Sequence, residues 1–401
     1  MSESGLSKSR LQRMHTVLSE HIERGELPGL VLLVSRHDDL YVQELGAMSL
    51  GRSAPMRRDT IFRVGSMSKP ITAVAAMILV EKCKLRLDES VESWLPELAN
   101  RRVLRTLDAD PDDTVPALRP ITVRDLLTFR MGFGSVMAMP STYPIQKLIR
   151  ERRIGADGPL RPSRLPAGDE WLERLSSLPW MAQPGERWLY HVSADVLGLL
   201  IARVSGQSLG TFLRERIFEP LGMRDTGFYV PPDKIERLAS SYSFSHRNDS
   251  LVVFDDASSS AWRTPPSFES GAGGLVSTID DHLAFYRMLL HKGRYGRARI
   301  LSRAAAELMT SDQLTPEQRV GSDIFFGGYR SWGFGVGVDI ARDQIFHNPG
   351  RFGWDGGFGT SGYADPAESL IGLLFTQRMM DSPKPPRVFT DFWTLAYGAV
   401  K

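Results

Sequence analysis

Strand-like text stands at both ends of this chain and helical text fills its middle, an order that few folds can accommodate. Gly29-Leu30-Val31-Leu32-Leu33-Val34-Ser35 and Leu40-Tyr41-Val42-Gln43-Glu44-Leu45 flank the polar Arg36-His37-Asp38-Asp39 and predict a β-hairpin. Strand signals return only at residues 332–340, 357–364 and 370–376, and residues 389–400 read as a closing helix. Upstream of the hairpin, Leu11, Met14, Leu18 and Ile22 recur at helical spacing. From residue 66 to about 228 helical periods dominate, with Pro- and Gly-rich connections at 108–120 and 155–168 and no internal repeat. An antiparallel sheet built from both ends of the chain, packed by the terminal helices and interrupted by a helical insert, satisfies this order. The expectation is an α+β fold. Residues 1–60 and 265–401 form its sheet region, 61–264 its mostly helical region, and the functional site lies at the seam, where clefts are favoured.

Phe62-Arg63-Val64-Gly65-Ser66-Met67-Ser68-Lys69-Pro70 is the stretch richest in chemistry. Ile71, Val74, Ala75, Ile78 and Leu79 continue it at helical spacing, so Ser66 and Lys69 fall at a helix start with their side chains within reach of each other. Free backbone N–H groups and the positive end of the helix dipole disfavour an ammonium there, and burial disfavours it further. Lys69 can then take a proton from Ser66, and the same N–H groups can hold an oxyanion. The plain alternative is a serine N-cap followed by a solvated lysine. This is the only serine–lysine pair at that spacing in the chain.

Composition narrows the partners. The formal charge is +2 over 401 residues, which gives no electrostatic case for nucleic acid or an acidic membrane surface. No apolar run approaches the ~20 residues needed to cross a bilayer, and Met1 to Arg24 carry no apolar export signal. The single cysteine, Cys83, cannot form an internal disulfide and reads as a small buried hydrophobe inside a helix. A reducing, cytoplasmic setting is expected. Asp108, Asp110, Asp112 and Asp113 read as a solvated loop, and no His or Cys pattern has metal-ligand spacing.

Two further elements have chemical content. Tyr190, in Trp188-Leu189-Tyr190-His191-Val192, precedes a helix start near Ser193 and can relay a proton. Phe352-Gly353-Trp354-Asp355-Gly356-Gly357 is a glycine-rich entry into a late strand, where missing side chains let a substrate approach backbone N–H groups. Ser66-x-x-Lys69, Tyr190 and Trp354-x-Gly356, in that order, resemble the serine β-lactamase and penicillin-binding-protein superfamily, specifically its class C branch and the family VIII carboxylesterases. The likeness runs from about Gly29 to Gln377.

The resemblance implies a β-lactamase/transpeptidase-like fold. It makes Ser66 the acylated nucleophile, Lys69 its base, and Tyr190 the phenol that passes protons to the leaving group and helps activate water. The N–H groups of Ser66 and Gly357 form the oxyanion hole, and no cofactor is implied. Lactam-hydrolysing members carry Asn two residues after the tyrosine and Lys at the start of the third motif, where this chain has Val192 and Trp354. Losing both removes polar handles for acylamino and carboxylate groups, which favours neutral esters. Trp354 then forms an apolar wall for an acyl or alcohol group, or is a strand aromatic of the core. Arg351 remains as a cation for a carboxylate.

Rival readings are few. Gly206-Gln207-Ser208-Leu209-Gly210 matches the nucleophile-elbow pattern, but helical spacing at Val196, Leu199, Leu200 and Val204 precedes it where a strand is required, so Ser208 reads as a cap. His191 reads as a surface or loop residue, and His282 and His347 as structural or solvent-facing. Gly271-Ala272-Gly273-Gly274 either admits substrate or makes a turn needing positive φ. The expected function is hydrolysis of short-chain carboxylic esters through an acyl-serine, with weak β-lactam turnover. Acyl transfer, or β-lactam binding with little turnover, is the alternative. The loops at 132–143 and 241–270 shape the pockets but have no readable code, and neither the natural ester nor the oligomeric state is legible.

Overall fold

A computed structural model describes residues 5–401 apart from 38, 52–53, 138–141 and 157. Helix α1 (Lys8–Glu23) leads into the hairpin of β1 (Gly29–Arg36) and β2 (Asp39–Gly46). Helix α2 (Ser68–Glu81) and helix α3 (Val192–Ser205) form the centre of the helical part, and α4 (Ile279–Leu290) returns the chain to the sheet. Strands β3 (Arg330–Trp332), β4 (Gly337–Asp339), β5 (Phe352–Gly356), β6 (Thr360–Asp365) and β7 (Leu370–Thr376) follow, and α5 (Arg387–Gly398) ends the fold. The sheet order is β3-β4-β5-β6-β7-β1-β2, antiparallel throughout.

Chain order and sheet order differ at one place, where β1 from the start of the chain pairs with β7 from its end, Leu30 opposite Thr376 and Arg36 opposite Leu370. β1 is therefore internal, and its alternation serves two cores. Leu30, Leu32 and Val34 face α1 and α5, where they meet Leu11, Met14, Leu18, Phe389 and Phe392. Val31 and Leu33 face the other way into the main core with Ile71, Val74 and Ile78 of α2. A strand buried on both faces has to be apolar at every position, which is why Gly29 to Val34 reads as an unbroken hydrophobic run. β2, at the edge, has only half-buried and exposed residues.

Some local expectations change. Residues 332–340 hold the end of one strand, a turn and a second strand, because Gly335 takes a left-handed φ of 70° that reverses the chain. The glycine-rich text at 352–356 is itself strand β5, and residues 357–359 are the turn into β6. Cys83 lies beyond the end of α2, exposed and with φ 54°, so it is not a core residue. Asp108, Asp110, Asp112 and Asp113 lie in a loop where Arg105 pairs with Asp113, and no metal-binding group of His, Cys, Asp or Glu occurs among the described residues. Of the loop at 132–143, residues 138–141 lie outside the described residues.

Gly372 of β7 marks how closely α5 is seated, since a Cβ there would lie 2.5 and 2.6 Å from ring carbons of Trp393. Gly372→Ala is expected to cost about 1–3 kcal/mol by forcing the indole off the sheet. Urea denaturation checks it: the midpoint falls at unchanged slope, and an unmoved midpoint would contradict this packing.

Candidate active site

Every residue from Thr60 to Leu79 is buried except Ser66. Ser66 stands in a tight turn, Gly65–Met67, just ahead of α2, and the turn exists because Gly65 adopts φ 52°. Ser68 ties the turn to its surroundings: its Oγ donates to the Gly65 carbonyl at 2.7 Å and accepts from the Leu275 amide at 3.2 Å. Ser66 thus precedes the helix, whereas Lys69 is the second residue of α2. One helical turn later in sequence, the lysine reaches back, and its Nζ donates to Ser66 Oγ at 2.7 Å.

Lys69 is 1 % exposed. Its Nζ also donates to the Ala272 carbonyl at 2.6 Å and lies 4.6 Å from the centre of the Tyr190 ring. Burial lowers its pKa to about 7, against a partial upward pull from Asp195. An amine so placed is substantially neutral near neutral pH and can accept the Ser66 proton.

Tyr190 enters from the segment ahead of α3, whose N-cap is His191. The Leu189 amide donates to the Phe129 carbonyl at 2.8 Å, and Phe129, Trp188 and Phe325 pack around the phenol. Burial raises the Tyr190 pKa well above its ordinary value, while contacts with Ser66 and Trp354 draw it back. The phenol is therefore protonated at neutral pH, a donor in waiting. Trp354, reached by β5, donates from its indole Nε1 to the Tyr190 hydroxyl at 2.7 Å and sits edge-on to Trp332 at 4.7 Å. It is 5 % exposed. The indole is thus both a core aromatic and a hydrogen-bond donor that orients the phenol, and sequence patterning carries no sign of the second role.

β5 also brings the third motif's glycines against the Ser66 turn. A Cβ on Gly356 would lie 2.2 Å from the Val64 carbonyl, so its missing side chain makes room for backbone and not for substrate. A Cβ on Gly357 would meet nothing within 4 Å, whereas one on Gly65 would lie 3.3 Å from the Gly357 amide nitrogen. The Gly357 amide thus borders the turn that carries Ser66, beside open space.

Other expected positions fall elsewhere. Val192 is the first residue of α3 and its side chain lies in the main core. Arg351 is sealed in the protein, 1 % exposed, donating to Asp339 at 2.9 Å and stacked near Tyr363 and Trp393, so it meets no substrate carboxylate. His191 is half-buried rather than on the surface, and burial together with Lys69 lowers its pKa to about 3, which leaves it neutral. His282 is buried with Nδ1 2.9 Å from Ser277 Oγ, and His347 stacks on Tyr329 at 3.9 Å. Ser208 caps the next helix, Leu209–Leu213, accepting from the Thr211 amide at 3.2 Å, after Gly206 has ended α3 with φ 69°. The loop at 271–274 has no glycine of positive φ; Gly271 is needed because a Cβ would lie 2.5 Å from the Ala194 carbonyl.

The Ser66 hydroxyl, the buried Lys69 amine and the Tyr190 phenol thus meet where the turn before α2, the lead-in to α3 and β5 adjoin. The chain belongs to the beta-lactamase family, whose model matches residues 14–389. Protein Rv1367c of Mycobacterium tuberculosis is 37 % identical over 91 % of this chain and 89 % of its own length. Esterase EstB of Burkholderia gladioli is 31 % identical over 93 % of this chain and 92 % of its own. Among solved structures, EstCE1, a hydrolase with promiscuous acyltransferase activity, superposes with a TM-score of 0.81 at 26 % identity, covering 98 % of this chain and 99 % of that one. The β-lactamase/transpeptidase-like fold and the likeness to family VIII esterases expected from the three motifs are both met. Ester hydrolysis or acyl transfer is the chemistry this family membership supports. No single helix among the described residues is long and apolar enough to cross a membrane.

With Lys69 lowered to about 7, the group is protonated below that pH and free to accept a proton above it. The rate at which a neutral fluorophosphonate labels Ser66 is expected to rise with pH about a midpoint near 7. Mass spectrometry of labelled protein over a pH series checks this, and a flat profile would mean that Lys69 is not the base.

Proposed function

We propose that the protein hydrolyses short-chain carboxylic esters through an acyl-Ser66 intermediate. The observation that carries the proposal is the 2.7 Å bond between Lys69 Nζ and Ser66 Oγ, made by a lysine that burial has stripped of much of its proton affinity. Neutral Lys69 takes the Ser66 proton as Oγ attacks the ester carbonyl. The N–H groups of Ser66 and Gly357 receive the oxyanion. As the tetrahedral adduct collapses, the departing alkoxide takes a proton from Tyr190, which recovers it from Lys69. Water then repeats the sequence in reverse, giving the acid and free serine. The steps use side chains and backbone alone and call on no cofactor.

Trp354 and Val192 stand where a lactam-hydrolysing site has polar groups, and the charged Arg351 is locked in the core. That supports neutral ester substrates, with β-lactams turned over weakly. Trp354→Phe keeps the ring but removes the donor to Tyr190, and is expected to lower kcat about tenfold, the worth of one hydrogen bond of roughly 1.4 kcal/mol, with KM little changed. A KM effect larger than the kcat effect would instead make the indole a substrate wall.

A second reading is acyl transfer, favoured by the promiscuous acyltransferase activity of the structurally similar EstCE1. There an alcohol replaces water at the acyl-enzyme. One experiment separates the readings. Turnover of p-nitrophenyl butyrate and of a chromogenic cephalosporin is measured for wild type, Ser66→Ala and Ser208→Ala, with products resolved in the presence of added alcohol. Loss of activity in Ser66→Ala alone, a large excess of ester over cephalosporin turnover, and free butyrate as the main product support the hydrolase. A butyrate ester as the main product supports the transferase, and an active Ser66→Ala refutes both. The small-molecule ester is the one partner proposed, with a cytoplasmic site of action.

A further inference from the structure

The negative charge that acts on Lys69 belongs to a residue with no part in the steps above. Asp195 lies in the first turn of α3, five residues after Tyr190, and is 6 % exposed. Its Oδ1 accepts from Ser270 Oγ at 2.6 Å and from the Ala272 amide at 3.1 Å. The same Ala272 turns its carbonyl to Lys69 Nζ at 2.6 Å. Thr72 of α2 holds the preceding carbonyl, Gly271 O, at 2.9 Å, and the absence of a side chain at Gly271 lets the loop press against α3. One residue of backbone thus connects a buried carboxylate to a buried amine.

We infer that Asp195 is a positioning residue of the catalytic centre: through Ala272 it sets the carbonyl that orients Lys69, and its charge stabilises the ammonium formed when Ser66 gives up its proton. The inference rests on the acyl-Ser66 reading. Its logic is that of a nucleophile and base completed by a third, orienting group, here acting through a peptide unit. A buried carboxylate without such a purpose is expensive, because desolvation disfavours its charge. Burial does push the Asp195 pKa up, opposed by Ser270, by the Ala272 amide and by Lys69. The charge facing it from α2 is Lys69, the loop at 270–274 brings only a hydroxyl and an amide, and at the end of its own helix His191 is neutral.

The sign of the effect is definite. Removing the carboxylate charge destabilises the Lys69 ammonium, so the lysine loses its proton at lower pH. The acid limb of kcat/KM for p-nitrophenyl butyrate should therefore move down by about one pH unit in Asp195→Asn, while kcat at its plateau falls about tenfold. Ser270→Ala leaves the carboxylate in place but removes a bond that favours its charged form, so its limb should move the same way by less. Circular dichroism confirms folding of both. A role confined to packing lowers thermal stability and leaves the limb where it is in wild type. An unmoved limb in whichever variants fold therefore overturns the inference. Ser66→Ala, assayed alongside, tests the parent reading separately: activity surviving there refutes the acyl-serine mechanism, whereas activity lost there with unmoved limbs in the other variants refutes only the role of Asp195.

Discussion

Lys69 keeps its nitrogen out of water, and withdrawing an ammonium from solvent costs several kcal/mol unless neighbouring groups compensate. Three groups meet the nitrogen: the Ser66 hydroxyl, the Ala272 carbonyl and the face of Tyr190. Each arrives on a different part of the fold, the first from the turn before α2, the second from the loop at 270–274 and the third from the lead-in to α3. The enclosure of one side chain therefore depends on the docking of three distant segments. The compensation is also incomplete, since two neutral dipoles and an aromatic face replace bulk water and the Asp195 charge offsets only part of the loss, and that shortfall is what lowers the proton affinity of the amine.

The sheet contributes through alternation. Successive residues of β5 point to opposite faces, so Trp354 joins the aromatic cluster around Tyr190 while Asp355 turns towards Ser361 and Tyr363 beneath α5. The same five-residue strand delivers Gly356 and Gly357 to the Ser66 turn. Strand register thus sets an indole on the phenol and brings a backbone amide beside the turn that carries Ser66. A slip of one residue would exchange the indole for a carboxylate.

Legibility in the sequence follows periodicity and fails where geometry is not periodic. The uninterrupted apolar run at Gly29 to Val34, the helical spacing after Ser66 and the late strands are readable because their burial patterns repeat. The turns at Gly335 and at residues 357–359 are not, since each depends on one or two backbone angles within otherwise strand-like text. In the site, Ser66, Lys69 and Tyr190 stand out by residue type and order, and the structure brings them together. Trp354 is conspicuous for its bulk, while its hydrogen bond to Tyr190 depends on where the indole nitrogen points. Asp195 is inconspicuous in the first turn of a helix, where acidic residues are common, and its partners lie 75 and 77 residues away. Arg351 illustrates the converse: a cation beside a motif is not thereby in the site, because Arg351, just ahead of β5, is buried in an ion pair with Asp339.

The pairing of β1 with β7 has a consequence for synthesis. About 330 residues separate the two strands. At ribosomal speeds of 5–20 residues per second, a nascent chain spends roughly 20–70 seconds with β1 made and its partner not yet translated. Throughout that interval a strand apolar on both faces has one bare edge and nothing to cover it, the condition that invites wrong pairing between neighbouring polysomal chains. The helical body can gather meanwhile, but β1 cannot gain its second neighbour until β7 has been made, so closure of the sheet belongs to the end of synthesis.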